Sequence, residues 1–107
     1  MTDQTRQALD MIQQQIRALD ALLEEARTSL NTVAAGERLV KWKGAAIPLV
    51  ARHLGQQEAQ RFADIKPGPS FSNDLLEELG DDVELYRDYL VALAEKVKKD
   101  GSTNHVP

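Results

Sequence analysis

The chain has 107 residues, no cysteine and a formal net charge of −4 from 13 basic and 17 acidic side chains. That length suits one domain with its own apolar core, and the zero cysteine count excludes a disulfide scaffold, a thiolate metal site and a cysteine nucleophile. Apolar residues make up 42% and charged residues 28%, a globular balance rather than that of a disordered chain. No apolar run approaches the ~18–20 residues of a membrane span, and Met1-Thr2-Asp3-Gln4 has neither the basic start nor the apolar stretch of a leader. A cytoplasmic protein is the expectation.

Charge is spread unevenly. Residues 1–36 sum to −2, 37–66 to +3, 67–97 to −6 and the last ten to +1. The acidic third segment would repel nucleic acid, and the basic middle segment is expected to attract it within the fold.

The first predicted element is a long helix over about residues 3–35. Leu9, Ile12, Ile16, Leu19, Leu23, Ala26, Leu30 and Val33 alternate in steps of 3 and 4, an a/d seam of more than three heptads. Thr2 or Thr5 would cap its start, and Gly36 would close it as a C′ residue. Leu22 widens the stripe. A seam of this length must be buried, within the chain or against another, and Leu9, Ile12, Ile16, Leu19 and Leu23 are the candidate protein interface.

A second helix is predicted over about 37–54, with Leu39, Trp42, Ala46, Leu49 and Val50 inward. Pro48 removes a backbone donor, so a kink is expected between Ala45 and Pro48. Gly55 closes this helix, and His53 suits the negative end of its dipole. A short helix follows at about 57–65, with Ala59, Phe62 and Ile65 inward. Lys66-Pro67-Gly68-Pro69-Ser70-Phe71 reads as a loop. Ser72 would cap a brief helix at about 73–79 that ends at Gly80. Asp81 with Glu84 forms a capping box for a final helix at about 82–99, whose Tyr86, Leu90, Leu93 and Val97 face inward beside Tyr89. Residues 1–100 then form a single domain, and 101–107 a disordered tail. The fold class is all-α, a small bundle of four or five helices with a long N-terminal heptad helix. Trp42, Leu49, Phe62, Leu90 and Leu93 are assigned to its core.

Chemistry is sparse. The two histidines, His53 and His105, lie far apart. Glu77, Glu78, Asp81, Asp82 and Glu84 cluster but lack the order of a calcium loop, and acids beside a helix start serve capping. Phosphate-cradling glycine loops are absent. No catalytic, metal or cofactor residue is assigned, and the chain is read as non-enzymatic. Arg38, Lys41, Trp42 and Lys43 place cations beside an aromatic, as single-strand nucleic-acid sites do. Trp42 also falls on the inward stripe, so nucleic acid is the weaker reading, a small nucleic-acid or nucleotide-binding protein using residues 38–61. A helix-turn-helix could be drawn over 37–65, without the basic recognition helix it requires.

One resemblance joins these segments. Trp42-Lys43, Leu49, Leu54 and Gly55, Phe62 with Ile65, Phe71-Ser72-Asn73 before Leu75, and Tyr86-Arg87 before an apolar helix form a pattern over about residues 37–97. It resembles the helical region that accompanies TIR-like nucleotide-binding effectors and related bacterial antiphage defence proteins. No segment here matches an effector domain. The resemblance therefore implies a helical accessory module, excised from a larger protein or encoded as a separate subunit. The expected function is protein–protein interaction or assembly, as an accessory or regulatory part of a bacterial defence system. Its partner would be itself or a larger effector, with a homo-oligomer expected and no membrane involved.

Overall fold

In a computed structural model, residues 2–68 and 74–103 are described. They form four helices in the order α1 (Asp3–Ser29), α2 (Thr32–Leu54), α3 (Gln56–Asp64) and α4 (Leu75–Thr103). The fold class is the all-α bundle expected from the sequence, and no strand occurs among the described residues. None of the helices is long and apolar enough to cross a membrane.

Helix α1 starts where Thr2 caps it, the Thr2 side chain accepting a hydrogen bond from the Thr5 backbone at 3.1 Å. It ends six residues earlier than its heptad pattern suggested. Leu30 adopts a left-handed conformation (φ 59°) and its N–H closes on Ala26 O at 2.9 Å. Asn31 then caps α2 by accepting from Ala34 N at 3.1 Å. A strong N-cap residue and one left-handed residue thus turn the chain within two positions. The apolar spacing that continues through Leu30 and Val33 is coincidental, since they are 72% and 66% exposed. Gly36 is no helix stop but an internal residue of α2.

Helix α2 runs unbroken through Pro48. The ring costs one hydrogen bond to the Gly44 carbonyl, but packing of Leu39, Ala46 and Val50 on the core keeps both sides of the proline helical. Gly55, at φ 95°, separates α2 from α3. This backbone suits glycine alone.

Helix α4 corrects the reading of two elements at 73–79 and 82–99. The chain stays helical through Gly80, Asp81 and Asp82, and on through Thr103 into the stretch expected to be a disordered tail. The cause is a second a/d seam. Leu76, Leu79, Val83, Tyr86, Leu90, Leu93 and Val97 follow steps of 3 and 4 without interruption. One internal glycine costs a helix only ~1 kcal/mol, less than burial of Val83 and Leu79 on either side returns. The cap is Asp74, whose Oδ1 accepts from Leu76 N at 2.9 Å. The proposed cap at Ser72, and His105, lie outside the described residues.

The long helices make an up–down arrangement. Helices α1 and α4 are antiparallel, with Asp20 on Arg87 at 3.1 Å near the middle and Leu23 beside Leu76 and Gly80 at one end. Helix α2 also opposes α1, with Gln15 against Trp42 and Glu25 against Arg38. Helix α3 carries the chain back so that α4 runs parallel to α2. The body measures 54 × 25 × 19 Å.

The core is Ile12, Ile16, Leu19 and Ala26 from α1, Leu39, Ala46 and Val50 from α2, Phe62 from α3, and the α4 seam. The expected core residues Phe62, Leu90 and Leu93 are buried, while Trp42 and Leu49 are half-buried at its edge. Leu19→Ala should lower the unfolding free energy by about 2–5 kcal/mol in urea denaturation. Leu30→Gly should raise it by up to about 1 kcal/mol, because it relieves a left-handed residue that buries little.

Candidate interaction surface

The centre of the bundle is an aromatic cluster contributed by three helices. Trp42 of α2 lies edge-on to Phe62 of α3 at 5.8 Å and tilted on Tyr86 of α4 at 5.6 Å. Phe62 stacks on Tyr89 at 5.4 Å. Two polar atoms of the cluster find partners in the fold. The Trp42 indole N–H donates to Gln15 Oε1 at 2.9 Å, and the Tyr89 hydroxyl donates to Glu58 Oε1 at 2.7 Å. Glu58 also meets Lys96 and Arg61, each at 3.5 Å. Burial, and then the bond to Glu58, pushes the Tyr89 hydroxyl far above its ordinary range. Tyr86 is raised by burial and by the charge of Asp82.

The residues named as a nucleic-acid site are largely committed within the fold. Trp42 is held by Gln15, Phe62 and Tyr86. Arg38 pairs with Glu25. Lys43 donates to the Ile65 carbonyl and lies 5.1 Å above the Tyr86 ring, and Lys41 is exposed. Burial, then Lys66, lowers the Lys43 pKa, opposed by Asp64. Ion pairs that link elements include Arg38–Glu25, Arg87–Asp20 and Lys96–Glu58. They differ from the expected pairing of a basic middle segment with an acidic third one.

The candidate interface on α1 also needs correction. Ile12 and Leu19 are fully buried, Ile16 is 7% exposed, and Leu9 and Leu23 are half-buried against the core. The seam is covered by α4 and α2 of the same chain, because α4 carries a matching heptad seam.

The acidic cluster is divided by the helix it rides on. Glu77, Asp81 and Glu84 border a groove of about 590 Å³ between α1 and α4, over Leu23, Leu76 and Val83. Asp82 turns the other way, toward α2. Among the described residues no three histidine or carboxylate side chains gather as a metal-binding group.

The groove on Asp82's side is a different surface. It is about 490 Å³, bounded by Gly36, Val40, Lys43, Gly44 and Ile47 of α2, by Leu79, Asp82 and Tyr86 of α4, and by Ala63 of α3 and Pro67. A methyl group added at Gly36 or Gly44 would meet no atom within 4 Å. Val40 is 74% exposed at the rim. With Val33, these α2 residues form an apolar stripe spaced 3, 4, 4 and 3, beside the inward stripe of Ala35, Leu39, Ala46 and Val50. Sequence reasoning followed the inward stripe and passed over the outer one. Its signal was Val33 and Val40 recurring seven apart beside two glycines.

Comparison of the chain with protein-family models, with curated proteins and with solved structures finds no match. The surface stands on its geometry alone.

Asp82 offers a test of how closed the groove is. Its carboxyl is raised above the usual range by burial first, then by Glu78 and Asp81. The folded state therefore holds this proton more tightly than the unfolded chain, and ionised Asp82 subtracts from stability. Asp82→Asn should move the urea midpoint upward at pH 7. The gain should shrink as pH falls through the raised value and vanish below about pH 3.9, the ordinary aspartate value.

Proposed function

We propose that this chain is a non-enzymatic protein-interaction module that binds through the groove between α2 and α4. The observation that carries this reading is the outer stripe of α2, where Val33 and Val40 are 66% and 74% exposed beside an open apolar groove. An exposed apolar stripe along a helix, next to a groove, is the surface that helical partners use, with anchors one turn apart. Charge of both signs borders the stripe, with Glu37 and Lys41 exposed on one flank of α2 and Lys43 and Asp82 in the groove on the other, which favours a specific protein partner over non-selective adhesion.

The resemblance carried by Trp42-Lys43, Gly55, Phe62, Ile65 and Tyr86-Arg87 supports an accessory role beside a nucleotide-binding effector in bacterial defence. Trp42, Phe62 and Tyr86 belong to the aromatic cluster, so the resemblance concerns the scaffold. The proposed groove borders that scaffold, with Lys43 and Tyr86 in its wall.

A photo-crosslinking side chain placed at position 40 should join the chain to another polypeptide, its own copy or a different one, in living bacteria. The same group at Gln14, on the exposed side of α1, should give at most a few per cent of that yield. Equal yields at the two positions would overturn the assignment of the surface.

A further inference from the structure

We infer that the occupant of this groove is α2 of a second copy of the chain, docked antiparallel about a two-fold axis beside Val40. This deepens the interaction-module reading and rests on it.

The argument is the internal symmetry of the outer stripe. A two-fold interface must be self-complementary, so that residue i meets j and j meets i. In an antiparallel helix pair centred on residue 40, positions that sum to 80 lie at the same height. Val33 then faces Ile47 of the partner copy, Gly36 faces the partner's Gly44, and Val40 faces its own counterpart. Apolar meets apolar and glycine meets glycine at each level. The open space at both glycines allows two backbones to approach closely, and the Val40 side chains fill the room that results.

Charge agrees with the same register. Glu37 and Lys41 lie on one flank of the stripe, about 60° and 100° round from Val40 at 3.6 residues per turn. An antiparallel two-fold keeps that flank on the same side in both copies. Glu37 then lies about 3 Å along the axis from the partner's Lys41, given a rise of 1.5 Å per residue. The pair occurs twice, once at each end of the row, and the two Lys41 side chains meet at its centre with a glutamate beside each. Both side chains are exposed and available to it. The opposite flank is the groove wall, where Leu79 and Tyr86 extend the apolar area beyond α2 itself and Lys43 and Asp82 add one charge of each sign.

Light scattering over a concentration series should give twice the 11.9 kDa chain mass at high concentration. Val40→Asp should return a monomer with an unchanged helical circular dichroism spectrum, since Val40 is exposed and not needed by the core. Glu37→Lys and Lys41→Glu should each weaken the dimer by ~10-fold or more, and the two together should restore it. Because the chain has no cysteine, Val40→Cys supplies a lone thiol that should form a disulfide-linked dimer under mild oxidation. A monomer at every concentration, or a dimer indifferent to Val40→Asp, would overturn the proposal. If a monomer is found while position 40 still crosslinks to a different protein, the interaction-module reading stands and self-association alone falls.

Discussion

The pairing of α1 with α4 joins the two long apolar seams of the fold and sets the frame that α2 and α3 complete. Each helix carries an uninterrupted 3–4 apolar seam, Ile12 to Ala26 on one and Leu76 to Val97 on the other. Laid antiparallel, the seams bury Ile12, Leu19 and Leu90 completely. Burial of one such side chain is worth about 1.5–3 kcal/mol, so the seam outweighs the local penalty of Gly80 and keeps α4 whole. Helices α2 and α3 then complete the wall that the α1–α4 pair leaves open.

They attach through the aromatic cluster. Phe62 is fully buried between Trp42, Tyr86 and Tyr89. It makes the nine-residue α3 a wedge that holds α2 and α4 at a set distance. The polar edges of Trp42 and Tyr89 are satisfied by Gln15 and Glu58, which gives the cluster orientation as well as bulk. The same wedge explains why a groove exists. Where Phe62 fills the space, α2 and α4 are joined through the rings. Toward Gly36 and Leu79 no aromatic ring intervenes among the described residues, and a groove remains over Ala63 and Pro67.

Much of the scaffold was legible from periodicity. The fold class, the cap at Thr2, the third helix and the burial of Phe62, Leu90 and Leu93 all follow from spacing and residue type. Punctuation was harder to read. Gly36 and Gly80 looked like stops and are internal, whereas the real break at Leu30 uses a residue with no turn signature and is revealed only by the Asn31 cap. Glycine ends a helix when tertiary burial does not carry the chain onward, and Val83 carries it here. The interaction surface was less legible for a related reason. Spacing alone shows that α1 has a seam but not that α4 of the same chain covers it. The stripe left over, through Val40, becomes visible only once the inward side of α2 is assigned.

The α1–α4 pairing has a consequence for synthesis. The two seams belong to the first and last helices, so α1 leaves the ribosome long before Val97 exists. At ~5–20 residues per second, some 68 residues separate the end of α1 from Val97, a wait of roughly 3 to 14 seconds. During that interval Ile12, Ile16 and Leu19 have only the inner stripe of α2 to cover them. The early hairpin is a half-closed sandwich held by Ala35, Leu39 and Trp42, and the chain is most vulnerable to chaperones and to other nascent chains before the last helix arrives.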